Sequence, residues 1–136
     1  MTDGLEVMKH LGGLAMQAEA NLWTSSALFG GAEGVLLLAY FGMIQVSNSE
    51  LFLTWWISAI ARTGLIFSIA WLGAGVLLQV RRWTWATKAK RLQTLIGIPN
   101  EFGPWGRNLS FALVSDAALF FVTWIPFMAI WLLFFW

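Results

Sequence analysis

The chain has 136 residues, of which 59% are hydrophobic and 11% charged, and its mean hydropathy is +0.71. Water-soluble domains carry about 25% charged residues, so this composition lacks the polar surface that a soluble fold needs and reads as an integral membrane protein. A net charge of +1 points to no particular partner, and the absence of cysteine excludes disulfides and thiol chemistry.

Ten tryptophans and eleven phenylalanines stand against one tyrosine. Aromatic side chains gather at lipid headgroups and at helix contacts in bilayers, which agrees with the membrane reading. The N-terminal MTDGLEVMKHLGG carries acids and lacks a basic region ahead of an apolar run, so it does not read as a cleaved signal peptide. No repeat and no low-complexity linker divides the chain. The expectation is one all-α membrane domain over residues 1–136.

Residues 3–24 predict an amphipathic helix. Val7, Leu11, Leu14, Ala18 and Leu22 share one face, Asp3, Glu6, Lys9, His10, Gln17 and Asn21 the other, and Glu19 lies near the boundary. Gly12-Gly13 weakens that helix and is a place for it to bend. Residues 27–46, ALFGGAEGVLLLAYFGMIQV, predict the first span, since twenty residues at about 1.5 Å cover about 30 Å of hydrocarbon.

The SNSE stretch at 47–50 has turn chemistry, and residues 51–80 predict the second span. They carry one charge, Arg62, and the Trp55-Trp56 pair suits an interface near the start of the span. Residues 81–96 hold five of the eight basic residues. With Trp85, Ala89, Leu92 and Ile96 at helical spacing, they predict a basic interfacial helix between spans 2 and 3. Gly97, Pro99, Gly103, Pro104 and Gly106 end it in a loop. Residues 109–136 predict the third span, with Pro126 removing one helical hydrogen bond and kinking it.

The positive-inside rule places Arg81, Arg82, Lys88, Lys90, Arg91 and Arg107 on the cytoplasmic side. The N-terminus is then cytoplasmic and Trp136 outside, in the cell's inner (plasma) membrane. A re-entrant third segment would bring the C-terminus back inside, but 28 apolar-rich residues fit a single tilted crossing better.

Three charges fall within the spans, namely Glu33, Arg62 and Asp116, and each is expected to face protein or water rather than lipid. Counted along their helices, Glu33 and Asp116 lie at similar depth, roughly 10 Å from the cytoplasmic boundary, whereas Arg62 lies about 27 Å from it. Two carboxylates at one depth make a candidate ion or proton site. The plainer reading is that each hydrogen-bonds to a hydroxyl or an indole on a neighbouring helix.

Ser26, Gly30 and Gly34 form a small-residue ridge with Ala27 and Gly31 beside it, and Gly64, Ser68 and the Gly73–Gly75 pair form another. Such ridges let helix backbones approach closely in lipid. Arg81, Arg82, Lys88, Lys90 and Arg91 are expected to contact anionic lipid, and nucleic-acid binding is the weaker reading of the same cluster. His10 is the one histidine and has no partner at metal-ligand spacing, so no metal site is expected. No catalytic set can be assembled, because a Ser-His-acid group, a phosphate loop and HExxH are all missing.

Ala18-Glu19-x-x-x-Trp23, then Gly64-x-x-x-Ser68-x-x-Trp71, then the Trp-bearing basic segment from Trp83 to Leu92 resemble a layout seen in small uncharacterised prokaryotic polytopic membrane proteins. That resemblance covers about two thirds of the chain. It implies a compact helical membrane protein that assembles with others, and it brings no activity or ligand.

The function expected from these features is non-enzymatic. The chain is expected to act as a small helical subunit, associating with itself or with other membrane subunits. The alternative is a small oligomeric cation or proton channel, or a membrane-disrupting pore, lined by Glu33 and Asp116. No cofactor is implied, although crevices between aromatic helices suit lipid, carotenoid or quinone.

Overall fold

A computed structural model describes residues 2–46, 50–99 and 109–135. Met1, residues 47–49 of the SNSE stretch, residues 100–108 with Arg107, and Trp136 lie outside the described residues, and with them the turn and most of the loop expected there. The chain is all-helical: α1 runs Thr2–Val46, α2 runs Glu50–Ile96 and α3 runs Leu109–Phe135. Each contains a stretch long and apolar enough to cross a membrane.

The five segments read from the sequence are thus three continuous helices. The amphipathic segment 3–24 and span 27–46 share α1, and span 51–80 and the basic segment 81–96 share α2. The reason is local. Trp23-Thr24-Ser25-Ser26-Ala27 and Gln79-Val80-Arg81-Arg82 contain no proline or glycine, so nothing in either junction stops helical hydrogen bonding. Gly12-Gly13 does not interrupt α1 either, since Gly12 is buried in its unit and packing there outweighs propensity. Pro126 lies within α3, which continues as helix through it.

The end of α2 has a specific cause. Gly97 adopts φ 77°, which the absence of a Cβ permits. Its N–H donates to the Thr94 carbonyl at 3.2 Å, and the Ile98 N–H donates to the Gln93 carbonyl at 3.2 Å. That pair of reversed bonds is a Schellman cap. The buried Gln93 side chain adds a 3.0 Å bond from Nε2 to the Pro99 carbonyl.

The chain forms two compact units, each drawing on all three helices. The first comprises Met1–Trp23 and Gly75–Leu119. Its interior is built from small residues, with Ala15, Ala86, Leu109 and Leu113 buried together and Trp85 packed on them. The buried stripe of α1 here is Met8, Gly12, Ala15, Ala18 and Leu22, while Val7 is exposed.

The second unit comprises Thr24–Ala74 and Phe120–Trp136 and is aromatic inside. Tyr40, Ala61 and Trp131 are buried with Leu37, Ile60 and Phe134 against them. Tyr40 stacks on Phe134 with ring centroids 4.2 Å apart, and Trp71 meets Phe29, Phe120 and Phe127. Offset and edge contacts of this kind add about 0.5–1.5 kcal/mol each beyond area burial.

Candidate functional site

In the second unit, the face of α1 formed by Ser26, Phe29, Gly30, Glu33, Leu37 and Tyr40 recurs at helical spacing, so it presents one carboxylate within an apolar stripe. Glu33 is fully buried, as are Ser68 and Trp131. The Ser68 hydroxyl donates to Glu33 Oε1 at 2.7 Å, and the Trp131 indole N–H donates to Oε2. Each carboxylate oxygen therefore has its own donor, one from α2 and one from α3. Hydrogen bonds to a carboxylate are the stronger kind, and a buried polar group without such partners would be costly.

The helix positions that hold this arrangement are small for a steric reason. A Cβ at Gly64 would overlap Trp131 Cε2, so the indole occupies the space that any side chain at Gly64 would need. Ser68, one turn further along α2, is engaged twice: its hydroxyl binds Glu33 and its carbonyl accepts a 2.7 Å bond from Trp124 Nε1. A turn beyond, the buried Trp71 donates from Nε1 to Ser26 Oγ at 3.3 Å, and a Cβ added to Gly30 would come into ordinary contact with its ring.

The first unit has a buried ionic network instead. Arg82 is 3% exposed; its Nη2 lies 2.8 Å from Glu19 Oε2, and its Nη1 pairs with Asp116 Oδ2. One guanidinium thus holds a carboxylate from α1 and another from α3, a geometry that the planar fork of arginine suits better than the point charge of lysine. Ala86 and Ala89 follow Arg82 on the same buried face of α2, and both are fully buried.

Residues singled out in the sequence therefore separate into distinct settings. Glu33 and Asp116 take their partners within different units, Glu33 from neutral donors and Asp116 from a cation. Gly30 and Gly64 face tryptophans within the chain, whereas nothing among the described residues lies within 4 Å of a Cβ built on Gly31, Gly34 or Gly73. Of the basic cluster, Arg82 is turned inward. Arg81, Lys88 and Arg91 are exposed, Lys90 is half-buried, and the Lys88 ammonium lies over the Trp85 ring at 4.9 Å. Arg62 is exposed in the second unit.

The participants that sequence reasoning passed over are Trp131, Trp124 and Glu19. A signal existed for the first two. Phe120, Trp124, Phe127 and Trp131 recur at four, three and four positions, one aromatic face of α3 that carries two indole donors. Among the described residues no group of three or more His, Cys, Asp or Glu side chains is placed to hold a metal. No protein-family model, curated protein or solved structure matches the chain.

Proposed function

We propose that the chain is a non-enzymatic helical membrane subunit that acts by associating through α1 with a second copy of itself or with another membrane subunit. It resides in the plasma membrane, with its N-terminus cytoplasmic and the basic stretch of α2 on the cytoplasmic side.

The observation that carries this reading is the division of α1 into two faces within the second unit. Ser26, Gly30 and Glu33 point into the unit and are engaged there. On a second face, about a third of a turn round the helix, stand Ala27, Gly31, Leu38 and Gly42, all exposed, with Gly34 at the edge. Gly31, Gly34 and Gly42 have no heavy atom of the described residues within 4 Å of a would-be Cβ. Lipid fills a flat glycine surface poorly, whereas another helix can approach it closely and gain van der Waals contact and Cα–H bonding.

The test is blue-native electrophoresis and crosslinking of the protein in lipid nanodiscs and in mild detergent. An assembly larger than one chain is expected, lost in Gly31→Leu and Gly34→Leu and kept in Ile66→Leu on an exposed part of α2. A monomer in native lipid would end the proposal.

The alternative, a cation or proton path along Glu33 and Asp116, requires both carboxylates to leave their partners. Glu33 would have to exchange Ser68 and Trp131 for water, and Asp116 would have to release Arg82. Ion flux in liposomes, compared with Glu33→Gln and Asp116→Asn, separates this reading from the first.

A further inference from the structure

Arg62 is the one charge within the predicted spans that the two buried networks leave out. The side-chain ion pairs among the described residues belong to Arg82, and no carboxylate of those residues pairs with Arg62. An arginine on the lipid-facing side of a crossing is expensive to leave unpaired, and it marks a site by default.

Its surroundings in the second unit are organised. Arg62 opens onto a cavity of about 290 Å³ that Thr54 and Ser58 line from the same helix and Phe134 and Phe135 line from α3. Thr54, Ser58 and Arg62 follow one another at four-residue spacing, so they form one polar track along α2. Side chains on a helix lean toward its N-terminus, which aims the guanidinium along that track toward Ser58.

The track ends beside Trp55 and Trp56. These two rings are 65% and 38% exposed and meet edge to face at 5.0 Å. Exposed tryptophans of a membrane helix sit at headgroup level. Arg62 is about 10 Å below them along the axis, a distance that a long snorkelling side chain largely recovers. The cation therefore lies at the depth of lipid phosphates and glycerol esters, with hydroxyls above it and phenyl rings at its side. That is the pattern of an amphiphile: charge and polar groups at one end, hydrocarbon contact along the other.

We propose that Arg62 and Ser58, with the wall formed by Phe134 and Phe135, bind the headgroup phosphate of an anionic phospholipid. The guanidinium takes two phosphate oxygens in a forked geometry, Ser58 adds a donor to an ester or glycerol oxygen, and the first carbons of an acyl chain lie on the phenyl rings. The site rests on the membrane reading above and is independent of the association face on α1. It also differs from the basic stretch of α2, which belongs to the first unit.

The test uses the full chain reconstituted in phosphatidylcholine nanodiscs containing a trace of photoactivatable phosphatidylglycerol or, separately, its phosphatidylcholine counterpart. Crosslinked peptides are mapped by mass spectrometry. The anionic probe is expected to label residues 54–62 and 134–135 several-fold more than the neutral probe. Arg62→Gln should bring that labelling down to the neutral level and Arg62→Lys should retain part of it, while labelling over 81–96 stays constant and reports insertion and folding. Should Arg62→Gln fail to reconstitute, competition decides: excess unlabelled phosphatidylglycerol must displace the label from wild type where phosphatidylcholine does not.

Equal labelling by both probes, wild-type labelling in Arg62→Gln, or displacement by soluble glycerol phosphate alone would overturn the lipid assignment. So would dissociation of the assembly in Arg62→Gln with the lipid preference intact, which would give Arg62 to a carboxylate of a neighbouring subunit. Blue-native gels of the same samples report the association face separately, so failure of one proposal is not mistaken for failure of the other.

Discussion

Trp131 and Glu33, 98 positions apart in the chain, meet indole to carboxylate in the interior of the second unit. Ser68 supplies the other donor at 2.7 Å, so one acid is shared by two helices that contribute no opposite charge. Such an arrangement satisfies an acid in an apolar interior by hydrogen bonding alone, and it fixes the register of three helices at one point.

Replacing Glu33 tests the bonding directly. Glu33→Gln keeps one carbonyl oxygen for the indole and an amide that can donate to the Ser68 oxygen, so a loss under about 1 kcal/mol is expected. Glu33→Ala leaves two buried donors unmet and should cost about 2–3 kcal/mol. Reversible unfolding in mixed micelles, comparing the two variants with wild type, checks the order. Equal stability of the two would contradict the bonding account.

Gly64 and Gly31 should respond in opposite ways to the same change. Gly64→Ala forces the Trp131 indole out of its seat, since the added atom would overlap the ring. Overpacking of this kind costs about 1–3 kcal/mol, and displacement of the indole also strains its bond to Glu33. Gly31→Ala meets nothing within 4 Å and gains helix propensity of up to about 1 kcal/mol. Thermal unfolding midpoints of the monomeric species in detergent would show a fall for the first and no fall for the second.

Arg82 is expected to matter more than any other basic residue of its cluster. Arg82→Met removes the shared cation and leaves Asp116 and Glu19 facing each other's element without it. Breaking a buried pair from one side costs about 3–5 kcal/mol. The side chains of Asp116 and Glu19 keep 19% and 36% of their exposure, so screening lowers the expectation to about 2–3 kcal/mol. Arg81→Gln and Arg91→Gln, which alter exposed side chains, should fall within about 0.5 kcal/mol of wild type. Unfolding in urea-containing micelles ranks the three.

Ser68 and Trp131 act through a common acceptor, so their effects should not add. Ser68→Ala and Trp131→Phe each remove one donor to Glu33. The double variant should differ from the sum of the singles by about 0.5–1.5 kcal/mol. In a Glu33→Leu background the coupling should vanish. A coupling that survives there would mean that the two residues interact through packing rather than through the carboxylate.

The helical class and the three long apolar helices were legible because each rests on local composition: apolar runs of span length, few charges and helix formers between them. The partition into five segments was not, because an amphipathic stretch and an apolar stretch can occupy one helix when no glycine or proline separates them, as at Trp23–Ala27. Glu33, Ser68 and Gly64 stood out as polar or small residues within apolar runs. The partner that Glu33 and Gly64 share did not, since Trp131 sits among Phe127, Phe134 and Phe135, and the sequence does not say which ring turns inward. Arg82 likewise reads as one of five cations. Its distinction comes from facing the same side of α2 as Ala86 and Ala89, a four- and seven-residue spacing that the charge of the cluster overshadows.

The double engagement of Ser68 has a consequence for biosynthesis. A chain synthesised from its N-terminus delivers α1 and α2 before α3, so Glu33 can acquire the Ser68 hydroxyl while both indoles are still absent. At that stage one carboxylate oxygen and the outer lone pair of the Ser68 carbonyl have no tryptophan donor. The arrival of α3 supplies both at once, through Trp131 and Trp124. The third helix is therefore a closing piece, and a nascent helical pair lacking it presents an incompletely bonded acid to the bilayer.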